Sequence, residues 1–144
     1  MSKKESIESS RAFFEHYNAR NMDAIDELHA PGFTTAYAPG MAGPLNEEQN
    51  RMMLQAFVMA FPDIRYEITL EVADEAYVVT HWMARGTHTG PLPTGSGEVI
   101  EPTGRRVELA GSTTMEIEDG KHKQAWLFFD QASMLAQLGL MPGP

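Results

Sequence analysis

The chain has 144 residues, 42% of them hydrophobic and 22% charged, with a formal net charge of −9. That length suits a single domain, residues 1–144, with a core of its own. The charge opposes docking on nucleic-acid phosphates or anionic membranes, and the lack of cysteine excludes disulfides, thiolate metal sites and a cysteine nucleophile. No apolar run approaches the roughly 20 residues of a membrane span, and the polar stretch from Met1 to Arg11 has no apolar signal segment, so a cytoplasmic protein is expected.

Ser6 to Asn18 reads as a helix with Ile7, Phe13, Phe14 and Tyr17 on one stripe. Asn21 reads as the N-cap of a second, short helix that Pro31 and Gly32 end. Phe33 to Ala38 is a strand candidate, followed by a Pro/Gly loop from Pro39 to Pro44. Asn46 then caps a third helix, with Glu47 and Glu48 in the first turn where the helix dipole favours carboxylates, and Pro62 stops it.

From Ile64 onward the pattern alternates at period two. Ile64 to Val72, Ala76 to His88, Arg106 to Glu118 and Lys121 to Phe129 read as strands, the last two joined by an Asp119-Gly120 hairpin turn. Gly86 and Gly111 are candidate bulge or kink positions. The stretch from Gly90 to Glu101, with Pro91, Pro93, Gly95 and Gly97, reads as a flap or hairpin. A last helix from Gln131 to Leu138 ends at Gly139, and Pro142 and Pro144 mark a loose tail. Helices first and long sequential strands after them predict an α+β fold, a curved antiparallel sheet with helices packed on one face.

The polar residues inside apolar stretches are the informative ones. Asp130 follows Trp126-Leu127-Phe128-Phe129. Poor solvation there would raise its pKa toward the range of a general acid or base. The alternative is an N-cap of the last helix, whose backbone N–H groups would lower it instead. His88 shares a strand face with Trp82 and is a candidate proton shuttle or oxyanion donor, or a satisfied structural histidine. Gln124, Trp126 and Phe128 share one face of the last strand, and Tyr17, Tyr37 and Trp82 are further candidates for lining a pocket or filling a core. The five histidines lack metal-ligand spacing, so no metal is expected.

The run Trp82 to Gly90, then Pro102-Thr103-Gly104-Arg105-Arg106-Val107, Asp119-Gly120-Lys121, Trp126 to Asp130 and Leu135-Ala136-Gln137-Leu138-Gly139 together resemble the SnoaL-like polyketide cyclase family. That family lies in the nuclear-transport-factor-2-like superfamily with ketosteroid isomerase and limonene epoxide hydrolase. The resemblance implies a cone-shaped α+β barrel, its curved antiparallel sheet wrapped around the N-terminal helices. It implies dimers or higher homo-oligomers paired through the outer sheet face. It also implies a cofactor-independent intramolecular aldol ring closure on a small hydrophobic molecule. Asp130 matches the family's acid/base aspartate, and His88 or Gln124 would serve as oxyanion donors. An isomerase, an epoxide hydrolase and a non-catalytic binder on the same scaffold stay open. Gln124 stands where similar proteins carry an acidic residue, which departs from any mechanism needing a second carboxylate on that strand.

Overall fold

The computed structural model describes residues 2–94 and 97–141. Of the residues singled out above, Met1, Gly95, Pro142 and Pro144 lie outside them. Helix α1 (Lys3–Asn18) begins earlier than its apolar stripe, because the Ser2 side chain accepts the Glu5 N–H and caps it. Helix α2 (Met22–Glu27) is capped by Asn21, whose side chain accepts from the Ala24 N–H. Strands β1 (His29–Tyr37) and β2 (Leu45–Asn46) come next, then α3 (Glu47–Ala60). A reciprocal capping box fixes its start: Asn46 accepts from the Gln49 N–H, and the Gln49 side chain accepts from the Asn46 N–H.

Strands β3 (Arg65–Ala73) and β4 (Tyr77–Thr87) follow, then the two short strands β5 (Leu92–Pro93) and β6 (Val99–Ile100), then β7 (Arg106–Glu118), β8 (Lys121–Phe129) and helix α4 (Gln131–Gln137). The flap expected between Gly90 and Glu101 is thus a small β5–β6 hairpin.

The main sheet has six strands in the order β2-β1-β8-β7-β4-β3. Three expectations need correcting. First, the sheet is not wholly antiparallel: β1 runs parallel to β8. The two strands are far apart in sequence and no tight turn dictates their relative direction. Second, the sheet is curved but open, with β2 and β3 at its edges, and does not close into a barrel. Third, Gly86 and Gly111 mark no bulge, since the β4–β7 register runs unbroken through both. Gly111 instead makes room: a Cβ there would overlap the Trp82 ring on the neighbouring strand. The irregularities fall at Thr69 in β3, at Lys123 in β8 opposite Glu116 and Ile117, and in β1 between His29 and Thr34 and between Thr35 and Tyr37.

Period two divides the sheet cleanly. Val78, Thr80, Trp82 and Ala84 of β4 and Val107, Leu109, Thr113 and Met115 of β7 are buried under the helices. The opposite face carries two cross-strand rows, Leu70–His81–Ser112–Phe128 and Val72–Val79–Thr114–Trp126, with Tyr37 beside Trp126. Among these, Leu70, Val72, Phe128 and Tyr37 are exposed. Gly90 seats the chain after β4 against the end of α3. Its N–H and that of Thr89 both donate to the Ala60 carbonyl at 3.1 Å, and a Cβ at Gly90 would overlap the Met59 carbonyl oxygen.

Candidate functional site

The helices and the concave sheet face enclose a cavity whose wall draws on α1, α3 and five strands of the main sheet. Helix α1 supplies Phe13, Phe14 and Tyr17; β1 supplies His29, Phe33 and Thr35; α3 supplies Asn50, Met53, Leu54 and Phe57. The sheet supplies Tyr66, Trp82, Leu109, Thr113, Met115, Ala125, Leu127 and Phe129, and Ile64 completes it. The free volume inside is about 50 Å³. That takes a few waters but not a drug-sized ligand, for which about 300 Å³ or more is usual. A larger guest therefore requires the flexible Met53 and Met115 side chains and the aromatic wall to shift.

The wall carries no lysine, arginine, aspartate or glutamate. Its polar groups are mostly spent on one another. Tyr17 donates its hydroxyl to the Leu54 carbonyl at 2.7 Å. The Trp82 indole N–H donates to Thr113 Oγ1 at 3.0 Å. Thr35 donates to Asn50 Oδ1 at 2.8 Å. Asn50 is only 6% exposed, and its amide Nδ2 donates to nothing among the described residues. Burial raises the Tyr66 pKa, against a weaker lowering by Arg20, so this residue stays a phenol and a donor. The pocket thus offers hydrogen-bond donors within an apolar, aromatic shell, a chemistry suited to carbonyl oxygens.

His29 stands at the boundary of this cavity. It also lines a separate open cleft of about 580 Å³ with Asp26, Phe33, Asn46, Glu47 and Glu48. The imidazole stacks on Phe33, ring centroids 3.7 Å apart and ring planes nearly parallel, so the His29–Phe33 pair forms the partition between cleft and cavity. Its Nδ1 lies 3.0 Å from Glu47 Oε2. Burial lowers the His29 pKa, opposed by the Glu47 bond and charge and by Asp26. Asp26, His29 and Glu47 form the one group of three potential metal-ligating side chains among the described residues whose ligand atoms all lie within 4.8 Å of one another. Both carboxylates are engaged already, Asp26 by Arg51 and Glu47 by His29. Arg51 also reaches Asp23 at 3.0 Å. The cluster is a set of ion pairs in which three carboxylates share one guanidinium and one imidazole.

The structure divides the residues singled out from sequence. Tyr17 and Trp82 line the cavity. Trp126 and Phe128 point to the outer face, because Ala125, Leu127 and Phe129 take the inward positions of β8. Gln124, two residues before Trp126, shares that outer face, and Tyr37 stacks on Phe128 at 4.8 Å. His88 is fully buried but off the cavity wall, beside Phe61 with ring centroids 5.3 Å apart. Its Nδ1 takes the Thr103 N–H and hydroxyl, and its Nε2 has no hydrogen-bond partner in range. Burial lowers the His88 pKa, opposed by the Gly90 backbone.

Asp130 is exposed and caps α4, its Oδ1 accepting the Ser133 N–H at 2.9 Å. It does not line the cavity.

Sequence reading missed Asn50, Tyr66 and the His29–Glu47 pair. Asn50 lies on the apolar face of α3, one turn after Glu47, and a lone amide there was the available signal. His29 sits just before Pro31-Gly32, a context that reads as a turn rather than the start of a strand.

No curated protein sequence matches the chain. AclR from Streptomyces galilaeus, provisionally assigned as a hydroxylase, superposes with a TM-score of 0.84 at 21% identity, covering 99% of this chain and 89% of that one. TsrD from Streptomyces laurentii gives a TM-score of 0.80 at 20% identity, covering 98% of this chain and 99% of that one. IdmH from Streptomyces antibioticus, provisionally assigned as a polyketide cyclase, gives 0.77 at 28% identity, covering 92% and 96%. The first two likenesses speak for the fold alone. The family model described as SnoaL-like polyketide cyclase matches residues 8–138, nearly the whole chain, so this protein belongs to the SnoaL-like polyketide cyclase family.

Proposed function

We propose that the protein binds a small, mainly apolar carbonyl compound of polyketide type in the cavity and closes a ring in it by intramolecular aldol condensation without a cofactor. The observation that carries this reading is the uncharged aromatic wall with the unpartnered Asn50 amide on it. An apolar guest gains by leaving water, and a carbonyl oxygen gains only where a donor waits for it. In the reaction a C–H bond between or beside carbonyls breaks, its electron pair forms the enolate, and the enolate carbon attacks a second carbonyl. The new alkoxide then takes up a proton. A close-fitting cavity contributes by holding both ends of a flexible chain near attack distance, and a donor at the enolate oxygen stabilises the developing charge.

Asp130 as acid/base of that ring closure is supported by the family resemblance. Its exposed position at the head of α4 supports the capping role, and turnover by an Asp130→Asn variant decides between the two. A binder without turnover is the second reading, favoured by the small free volume of the cavity.

Pairing of two copies through the outer sheet face is supported by the exposed Leu70, Val72, Tyr77 and Phe128. A cytoplasmic setting fits the cysteine-free sequence. Binding is tested in a Trp126→Phe background, where Trp82 is the one tryptophan left. 2-Tetralone, a compact bicyclic ketone, should change its fluorescence saturably in wild-type cavity and less tightly after Asn50→Leu. No saturable change refutes cavity binding.

A further inference from the structure

We infer that His29, held by Glu47, is the group that takes and returns the proton in this cavity. The inference rests on the cavity-binding reading above and names an acid–base group on the cavity wall itself. No carboxylate lines the wall. The two tyrosines on the wall, Tyr17 and Tyr66, are both pushed by burial further from ionisation. His29 is the one wall residue that can act as a base near neutral pH.

Its surroundings prepare it for the task. A carboxylate only accepts hydrogen bonds, so the 3.0 Å contact with Glu47 places the ring proton on Nδ1. Nε2 then carries the lone pair, and it has no partner among the described residues. The flat stack on Phe33 fixes the ring plane. The side chain is only 2% exposed while Glu47 is half exposed, so the pair connects the cavity with the open cleft.

Glu47 and Asn50 lie three residues apart on α3, so one helix face presents both the carboxylate behind the base and a donor for an enolate oxygen. The charged and titratable groups facing His29 are Glu47 from α3, Asp26 from α2, paired with an Arg51 that Asp23 shares, and the His122 ring from β8, 6.4 Å away.

The step balances without any further reagent. His29 Nε2 removes a proton from the carbon beside a ketone. The C–H pair becomes the enolate π bond, and the carbonyl pair moves to oxygen under the Asn50 amide. Glu47 stabilises the imidazolium. After C–C bond formation the imidazolium gives the proton to the new alkoxide and returns to the neutral base. His29 is therefore the catalytic residue and Glu47 a positioning residue.

The test follows exchange of the activated methylene protons of 2-tetralone in D2O by NMR, with binding followed separately by Trp82 fluorescence in the Trp126→Phe background. Wild type should exceed buffer, with an acid limb below pH 6.5, since the His29 pKa is lowered and the neutral ring is the active form. His29→Gln should lose about 100-fold in exchange while still binding. Glu47→Gln, a half-exposed position that keeps the fold if His29→Gln does not, should lower the rate about 10-fold and move the acid limb to lower pH, because the charge that favours the imidazolium is gone. A purely structural Glu47 would leave that limb in place. Binding without exchange above buffer, exchange retained in His29→Gln, or exchange lost in Asp130→Asn alone overturns the inference and leaves cavity binding standing. Absence of binding overturns both.

Discussion

Acid should unfold this protein early, through His122. The residue is fully buried in β8, its Nε2 donating to the Ser9 carbonyl at 3.1 Å on α1 and also 3.0 Å from Ser9 Oγ. Its Nδ1 is buried without a partner. Burial pushes the pKa down to about 4, opposed by the Ser9 backbone and assisted by the neighbouring His29 and Lys121. In the unfolded chain it titrates near 6.5. The folded value lies below the unfolded one, so the contribution is complete above pH 6.5. It is lost as pH falls toward 4, where the unfolded chain takes up a proton that the native state refuses. At 1.36 kcal/mol per unit, the full loss is about 3 kcal/mol, a large share of a typical domain's stability. Urea unfolding of wild type and His122→Gln at steps from pH 7 to pH 4 measures it. Glutamine keeps a donor for the Ser9 carbonyl and cannot ionise, so the two stability curves should converge by about 3 kcal/mol toward acid pH. Parallel curves would refute the claim that His122 is held neutral by burial.

Other perturbations have equally definite outcomes. Gly90→Ala drives a Cβ into the Met59 carbonyl and should destabilise by about 3 kcal/mol or more in thermal unfolding. Trp82→Ala removes a ring packed over Gly111 and its bond to Thr113; about 3–5 kcal/mol should be lost by urea unfolding. Val72→Glu places a charge on the exposed outer face; analytical ultracentrifugation should show a dimer turning to monomer, and an unchanged sedimentation profile would end the pairing proposal. Asn50→Leu should weaken 2-tetralone binding about tenfold, the cost of one unmatched hydrogen bond.

Much of the sheet was legible because period-two alternation and the Asp119-Gly120 turn fix β7 and β8 locally. The split of β8 into Trp126/Phe128 and Leu127/Phe129 was also readable. Which half faced inward was not, since both halves are apolar and the answer depends on Thr113 and Met115 of the paired strand. The parallel β1–β8 contact joins segments far apart in sequence, and nothing local encodes its direction. Asp130 shows the same limit from another side. A carboxylate after an aromatic strand and a carboxylate before a helix are one sequence, and the Ser133 hydrogen bond describes the second. His29 and Glu47, on separate elements, meet only through the fold.

The binding claim is tested most directly by methyl NMR of the methionines during titration with 2-tetralone. Met53 and Met115 line the cavity, whereas Met52 and Met59 are exposed on the outer side of α3. The account predicts saturable shifts and ligand contacts at Met53 and Met115 with Met52 and Met59 unmoved. Shifts confined to Met52 and Met59, or none at any methionine, would contradict it.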